Sequence, residues 1–269
     1  MFNRLKIIIP LLLLPFMGLA QHEVGFKVGF ANYLGDLAPS IAFGSSRPAA
    51  GLLYRYNYSA KWKFRTGLTY FRLHGSDRNF RENETRNLSF RTSIWEAEFL
   101  AEYHLLPFIP GMSKLTFSPY IVGGFAAFKY QPQVDYDGTW LNLRDIGTEG
   151  QVAPGSNLQP YNDFSFSFPI GLGFKKTLTD QMTFGLEVTY RFTLTDYLDD
   201  VSKAYADPAL LAGSPYPETT IALADRTPEL GLERNEIGSL RGNPDDLDKY
   251  LMVTISFCKR LGYAPCYAF

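Results

Sequence analysis

The stretch MTFGLEVTYRFTL, residues 182–194, decides the fold, because its side chains alternate strictly between two kinds. Met182, Phe184 and Leu186 begin a series of large apolar residues at every second position, and the intervening positions hold Thr, Gly, Glu and Arg. A period of two is typical of a β-strand with two unlike faces. Soluble strands usually have about 5–6 residues, whereas a tilted membrane strand needs roughly 9–11. The stretch therefore predicts a membrane-spanning strand.

Seven further segments alternate in the same way, which gives eight predicted strands. Their approximate ranges are 23–33, 47–58, 62–74, 88–105, 116–130, 164–176, 182–194 and 249–258. Short connections at 59–61, 106–115 and 177–181 alternate with long ones at 34–46, 75–87, 131–163 and 195–248. Outer-membrane barrels have short periplasmic turns and long extracellular loops. The predicted fold is therefore all-β: an antiparallel eight-stranded transmembrane β-barrel over residues 21–269.

Residues 1–20, MFNRLKIIIPLLLLPFMGLA, have the form of a secretory signal peptide. Arg4 and Lys6 precede an apolar core, and Gly18 and Ala20 are small residues before an expected cleavage point. After this segment, no apolar run approaches the roughly 18–20 residues of a membrane helix. We therefore expect an exported protein of the cell outer membrane, spanning it with strands.

Composition excludes several classes of function. Hydrophobic residues make up 46% and charged residues 20%, which is not typical of a disordered chain. The 26 Lys and Arg are balanced by 27 Asp and Glu, which argues against a nucleic-acid partner. Cys258 and Cys266 would lie in an oxidising compartment, where they form either a local disulfide or two unpaired thiols. No phosphate-binding, dinucleotide-binding or Cys/His metal motif is present, so no cofactor is expected.

The strand faces opposite the apolar ones carry charged side chains and are assigned to the barrel interior. The inward-facing residues are Lys27, Arg55, Lys63, Arg65, Lys175, Arg191, Glu23, Glu96, Glu98, Glu102 and Glu187, together with His104. An eight-stranded barrel is just wide enough for its side chains, and an unpaired buried charge is costly. We therefore predict a plugged lumen in which these charges pair with one another. A proton or ion path is the alternative.

Aromatic residues are expected to form girdles at both ends of the barrel. The predicted short-turn girdle contains Tyr54, Tyr56, Tyr58, Trp62 and Tyr103, and the long-loop girdle contains Tyr33, Tyr70, Tyr130 and Phe164.

Residues suited to catalysis are few. His74, Ser76 and Asp77 follow one another closely at the end of the third predicted strand, where a lipid-modifying barrel enzyme would place a triad. Side chains at adjacent strand positions diverge, however, and the polar start of a loop explains the same residues. No catalytic residue is assigned.

The last long loop, 195–248, is too long to be a simple connector. It is acidic and contains several prolines, which suits a docking surface or a cap over the barrel mouth. Asp196, Asp199 and Asp200 are candidate ligands for a hard cation, with solvated loop acids or a turn start as the alternative, so no metal site is assigned.

Several short strings, taken in order, resemble those of a known family. They are NYLGDL (32–37), RP (47–48), YRYN (54–57), GSD (75–77), RNLSFR (86–91), TDYLDDVS (195–202) and RGNP (241–244). With the signal peptide, they resemble the PorG-like outer-membrane proteins of the type IX secretion system of Bacteroidetes. The resemblance implies an outer-membrane barrel that associates with the periplasmic ring of the secretion and gliding machinery, built from a lipoprotein and its partner subunit. It implies no catalytic residues.

The leading hypothesis is therefore a non-enzymatic barrel, in contact with outer-membrane lipid, that anchors or contacts this ring. The turn 106–115 and the tail 259–269 are expected to meet the periplasmic partners. The alternatives are a small passive channel and a lipid-modifying enzyme.

Overall fold

The computed structural model describes residues 22–80, 83–110 and 115–262. The predicted signal peptide (1–20) and Cys266 lie outside these ranges. The strands are β1 (His22–Leu34), β2 (Arg47–Asn57), β3 (Trp62–Ser76), β4 (Ser89–His104), β5 (Phe117–Tyr136), β6 (Thr139–Asn142), β7 (Phe164–Thr177), β8 (Met182–Thr193) and β9 (Lys249–Arg260). Three short helices lie in the long loops: α1 (Leu143–Ile146), α2 (Pro208–Leu211) and α3 (Pro217–Ala224).

The strands form a single closed sheet in which every pairing is antiparallel. The order is β4-β3-β2-β1-β9-β8-β7-β5, and the pairing of β4 with β5 closes the cylinder. β1 pairs with the last strand, β9, over twelve residue pairs, so the two ends of the described chain lie at the same rim. This confirms the predicted eight-stranded all-β barrel. Within the described ranges, no helix is long and apolar enough to cross a membrane.

The outer wall is apolar. Leu52, Leu172 and Phe30 are each at least 60% exposed although they lie within strands. The same outward pattern continues around the barrel through Val24, Phe26, Leu68, Phe99, Ile121, Phe125, Ile170, Leu186 and Val188. A soluble protein rarely exposes a continuous apolar surface of this kind, whereas lipid favours it. The wall therefore has the chemistry of a membrane-spanning barrel.

The fifth strand is longer than the alternation predicts. It continues to Tyr136 and folds back into β6, which pairs with it outside the barrel wall. Asp137 and Gly138 form the turn, with φ of 51° and 78°. Two successive positive φ angles favour an Asp-Gly pair, which is a strong sequence signal for a two-residue hairpin. The signal was present in the predicted loop 131–163, but the prediction did not use it.

Two residues assigned to the long-loop aromatic girdle lie on the opposite face. Tyr33 and Tyr130 are buried inside the barrel. The prediction was wrong because it gave position along the strand more weight than parity. Outward residues of β1 are Val24, Val28 and other even positions, so Tyr33 lies on the inward face. At the short-turn rim, Tyr54, Tyr58 and Trp62 are exposed as the girdle requires.

The long connections all lie at one end of the barrel, which we call the long-loop end; the other is the short-turn end. The long connections comprise residues 35–46, 77–88, 137–163 and 194–248, and the short ones residues 58–61, 105–116 and 178–181.

A charge placed midway along the outer wall tests whether this wall faces lipid. Leu172 is 66% exposed near the centre of β7, and Leu240 is 73% exposed in the last long loop. We expect Leu172→Arg to lower the free energy of folding into lipid vesicles by about 2–4 kcal/mol, the cost of an arginine at the bilayer midplane. Leu240→Arg is the matched control and should change it by less than about 0.5 kcal/mol. Equal effects, measured by reversible urea unfolding, would contradict a lipid-facing wall.

Candidate functional site

The middle of the barrel is filled by paired charges, which we call the ionic layer. The structure places all eleven charged residues assigned to the interior inside the barrel, and His104 with them. Strand β4 supplies three of the acids, Glu96, Glu98 and Glu102, because an even spacing keeps side chains on one face.

Glu102 is the centre of the ionic layer. Its Oε1 accepts hydrogen bonds from Arg55 Nε at 3.0 Å and Arg65 Nη1 at 3.2 Å. Its Oε2 accepts one from Lys175 Nζ at 2.9 Å. Arg65 also donates from both terminal nitrogens to the two oxygens of Glu187, each at 2.9 Å. Side chains from β2, β3, β4, β7 and β8 are thus joined across the lumen.

Two further groups complete the ionic layer. Glu98 accepts from Lys27 Nζ at 2.6 Å and from Arg191 Nη2 at 3.2 Å, and Arg191 Nε also donates to Glu96. Arg55 Nη1 donates to Glu23 at 2.8 Å and to Cys258 Sγ at 3.2 Å. The Cys258 sulfur therefore lies in the ionic layer. Pairing with Cys266 involves a residue outside the described ranges.

Three tyrosines that the sequence analysis did not assign to the interior hold the acids in place. Tyr120 donates to Glu187 at 2.9 Å, and Tyr250 donates to Glu96. Gly173 makes room for the Tyr120 ring, because a Cβ at that position would lie 2.1 Å from the ring. The third, Tyr33, lies at the long-loop mouth. The period of two places each of these tyrosines on the inward face of its strand, and this spacing in the sequence could have identified them.

The short-turn mouth is closed by its own connection. Phe108 is buried and stacks on His104, with ring centroids 5.5 Å apart, and its carbonyl accepts from Lys63 Nζ at 3.1 Å. The Pro110 carbonyl accepts from Arg260. The turn 106–115 is expected to be a surface for periplasmic partners. Within it, Phe108 and Pro110 are buried and seal the barrel, whereas Pro107 and Leu115 are exposed.

The long-loop half of the barrel is filled by an apolar core. Phe71, Ile94, Phe128 and Met252 point inward from the strands, and Leu198 and Val201 of the last loop pack against them. Leu198 enters the barrel far enough for its carbonyl to accept a hydrogen bond from Thr92 of β4. The described residues thus fill the interior at both ends and in the middle, which does not leave the open lumen that a passive channel needs.

The four long connections form one unit over this core, which we call the cap. Arg86 is its main link: it donates to both oxygens of Asp77 at 2.7 and 2.9 Å, to the Asp36 carbonyl at 2.8 Å and to the Arg241 carbonyl at 2.6 Å. Arg241 in turn donates to Glu149 at 3.2 Å. Two arginines therefore connect all four loops.

The three aspartates considered as cation ligands are held separately. Asp200 accepts from the Thr148 hydroxyl at 2.5 Å and the Tyr161 hydroxyl at 2.6 Å. Asp199 lies 2.6 Å from the Tyr33 hydroxyl, whereas neither oxygen of Asp196 has a well-formed hydrogen bond. In the part of the chain that the structure describes, no three acidic, histidine or cysteine side chains are grouped as metal ligands.

The Tyr33 hydroxyl lies between two buried carboxyl groups of the cap. The Tyr33 hydroxyl is 2.6 Å from Asp199 Oδ2 and 2.5 Å from Asp248 Oδ1. One hydroxyl supplies one proton, so the second contact requires a protonated carboxyl that donates to the tyrosine oxygen. Burial raises the pKa of Asp199 and Asp248 well above the usual range. Burial likewise raises the pKa of Asp196 to about 7 and that of Asp200 to about 6.

The residues His74, Ser76 and Asp77 do not form a triad. Asp77 is buried and paired with Arg86, and it also accepts from the Leu88 amide at 2.8 Å. His74 lies on the outer wall, where its Nδ1 is 2.7 Å from the Phe90 carbonyl and so carries the proton. Among the described residues, no hydrogen bond joins the three side chains.

The ionic layer should behave as one coupled unit. Arg65→Met leaves Glu187 and Glu102 short of a partner in a dry interior, so it should cost about 3–5 kcal/mol of folding free energy. Arg65→Met/Glu187→Met should cost clearly less than the sum of the two single changes. Urea unfolding of the wild type, the two single variants and the double variant in vesicles gives the coupling energy between Arg65 and Glu187. A coupling near zero would show that these charges are stabilised by water and not by each other.

The closure of the cap should depend on pH. Asp196 and Asp200 have raised pKa values, so the closed cap binds protons more tightly than the open one. Its stability should be full below about pH 4 and fall as pH rises through about 6 to 7. We expect amides of residues 197–202 to exchange about tenfold faster at pH 8 than at pH 5.5, after correction for intrinsic rates. Asp196→Asn should remove most of this difference, and Asp245→Asn, at an exposed position of the same loop, should not. If Asp196→Asn left the pH dependence unchanged, the attribution of cap closure to protonation of Asp196 would be refuted.

Solved structures of small barrels are similar to this chain. Neisserial surface protein A, from Neisseria, has a TM-score of 0.41 at 10% identity, covering 89% of this chain and 97% of that one. The attachment invasion locus protein Ail of Yersinia pestis has a TM-score of 0.40 at 9% identity, covering 89% and 98%. The outer membrane protein OprG of Pseudomonas aeruginosa has a TM-score of 0.40 at 14% identity, covering 89% and 95%.

Among curated proteins, no sequence match is significant. A family model described as "Domain of unknown function (DUF6089)" matches residues 3–208, which is more than half of the chain. This transmembrane β-barrel, with its ionic layer and cap, therefore belongs to the DUF6089 family.

Proposed function

We propose that the protein is a non-enzymatic outer-membrane barrel of the type IX secretion and gliding machinery, which anchors or contacts its periplasmic ring. The observation that carries a structural role is the filled interior. Glu102 is paired in the middle of the barrel, Phe108 fills the short-turn mouth and Leu198 fills the long-loop mouth. A barrel without an open path is suited to holding other molecules at the membrane.

The assignment to this machinery is supported by the strings that resemble PorG-like proteins. Five of them meet in the cap. Asp36 of NYLGDL accepts from the Asn243 amide of RGNP at 3.0 Å, and Arg86 of RNLSFR binds Asp77 of GSD. Asp199 of TDYLDDVS contacts Tyr33. The strings therefore describe one shared structural unit, which makes their joint occurrence more specific than any of them alone.

The ring would meet the short-turn end. This end exposes apolar side chains that the mouth does not use: Leu105, Leu178 and Leu261 are each about half exposed. A partner that covers these leucines would remove their apolar side chains from water, which favours binding. We therefore place the contact with the ring lipoprotein and its partner subunit on these turns, and the cap on the extracellular side.

A pull-down tests this proposal. Tagged wild-type protein, extracted from outer membranes in mild detergent, should recover the ring lipoprotein and its partner subunit. Leu105→Glu/Leu178→Glu should reduce the recovery about tenfold or more, since each places a charge on the contact surface. The matched control is Leu230→Glu/Leu232→Glu, two leucines of similar exposure in the cap. It should leave the recovery unchanged.

Failure to recover either ring subunit with the wild-type protein would refute the assignment to this machinery. Heat-modifiable migration in gels establishes that each variant is a folded barrel. Steady large openings of the wild-type protein in a planar bilayer would refute the sealed interior and favour a channel.

A further inference from the structure

A groove lies on the outer wall at the long-loop end, where the apolar wall gives way to polar residues. Its floor is formed by the small residues Pro48 and Ala50 of β2. Its sides are Phe30 of β1 and Tyr70 of β3, the strands that flank β2 in the sheet. The groove has a volume of about 550 Å³, and Arg72 lines its edge.

Two arginines face outward beside this groove. Arg72 is opposite Ser93 in the pairing of β3 with β4, so Arg91 is its diagonal neighbour on β4. Diagonal neighbours are about 7–8 Å apart, within reach of long side chains. Arg72 Nε donates to the Tyr70 hydroxyl at 3.1 Å, and Arg91 Nη2 donates to Gln133 at 2.9 Å.

The Arg91 guanidinium is also fixed from one side. It lies 3.4 Å from the ring centroid of Trp140, which is the tryptophan of the β5–β6 hairpin. Tryptophan is typical of the level at which lipid headgroups lie. The hairpin thus holds Arg91 at the upper edge of the apolar wall.

These two cations lack an acidic partner. Among the described residues, no carboxylate lies within 4.0 Å of Arg72 or Arg91, and Asp135 acts on Arg91 only from a greater distance. Arg91 Nε is buried without a hydrogen-bond partner. By contrast, Lys129, an outward-facing cation of β5, pairs with Asp163 at 3.2 Å. Two neighbouring positive charges repel each other, so a bound anion would stabilise this arrangement.

We propose that this is a binding site for a phosphorylated lipid. The phosphate lies between Arg72 and Arg91, and one acyl chain lies in the groove over Pro48 and Ala50. Guanidinium groups match phosphate oxygens in geometry and bind them in pairs. The groove selects a lipid over a soluble anion, because only a ligand with an alkyl chain buries the apolar floor. The site is independent of the ring contact, which lies at the opposite end of the barrel.

Titration of the full mature chain in dodecyl maltoside, followed by native mass spectrometry, tests the site. The probes are lipid A, the same lipid without its phosphates, and inorganic phosphate. We expect lipid A to bind at least about tenfold more tightly than either other probe. Arg72→Gln/Arg91→Gln should weaken lipid A binding about tenfold or more. Lys129→Gln removes a neighbouring cation that is already paired, and it should leave binding unchanged.

A second variant tests the groove without changing charge. Ala50→Phe fills the floor on the lipid side of the wall and should also weaken lipid A binding, while phosphate binding stays the same. It tests the site even if the double arginine variant fails to fold. Equal binding of dephosphorylated lipid A, or equal binding of inorganic phosphate, would overturn the proposal. An equal loss with Lys129→Gln would overturn it too, because it would show attraction by surface charge alone.

Discussion

The closure of the sheet between β4 and β5 is the constraint on which the rest of the structure depends. In hydrocarbon, a backbone amide or carbonyl without a partner costs several kcal/mol, so a sheet must have no free edge. Pairing from Arg91 with Gln133 to His104 with Tyr120 removes the last edge. Once the cylinder is closed, each strand has one face in lipid and one in a narrow interior. The alternation of apolar and polar side chains along the strands follows from this separation.

The interior combines two ways of filling a narrow space. Around Glu102 the barrel holds charges, and toward the long-loop end it holds aromatic and aliphatic side chains such as Phe71 and Phe128. A buried ion pair gives little net stability, but removing one partner is costly. The ionic layer therefore fixes which strands face each other, while the apolar core above it gives the cap a surface to pack on. Leu198 of the last long loop joins the cap to the apolar core at the long-loop mouth.

The cap shows what several of the short strings have in common. Arg86 and Arg241 lie in two of the strings, and together they connect four loops that are far apart in sequence. Changing one of these arginines would leave several buried acceptors without a donor. Five of the seven strings are thus explained by the need to keep the cap closed.

The sequence by itself determined the barrel, its strand number and the inward direction of residues such as Arg65 and Glu187, because a period of two assigns each residue to a face from local spacing alone. It did not determine which charges pair. Glu102 with Lys175, or Tyr33 with Asp248, are contacts between residues distant along the chain, and register and closure set them. The inward fold of Phe108 and the stacking of Arg91 on Trp140 were also decided by tertiary structure, since a connection has no period that would assign its side chains to a face.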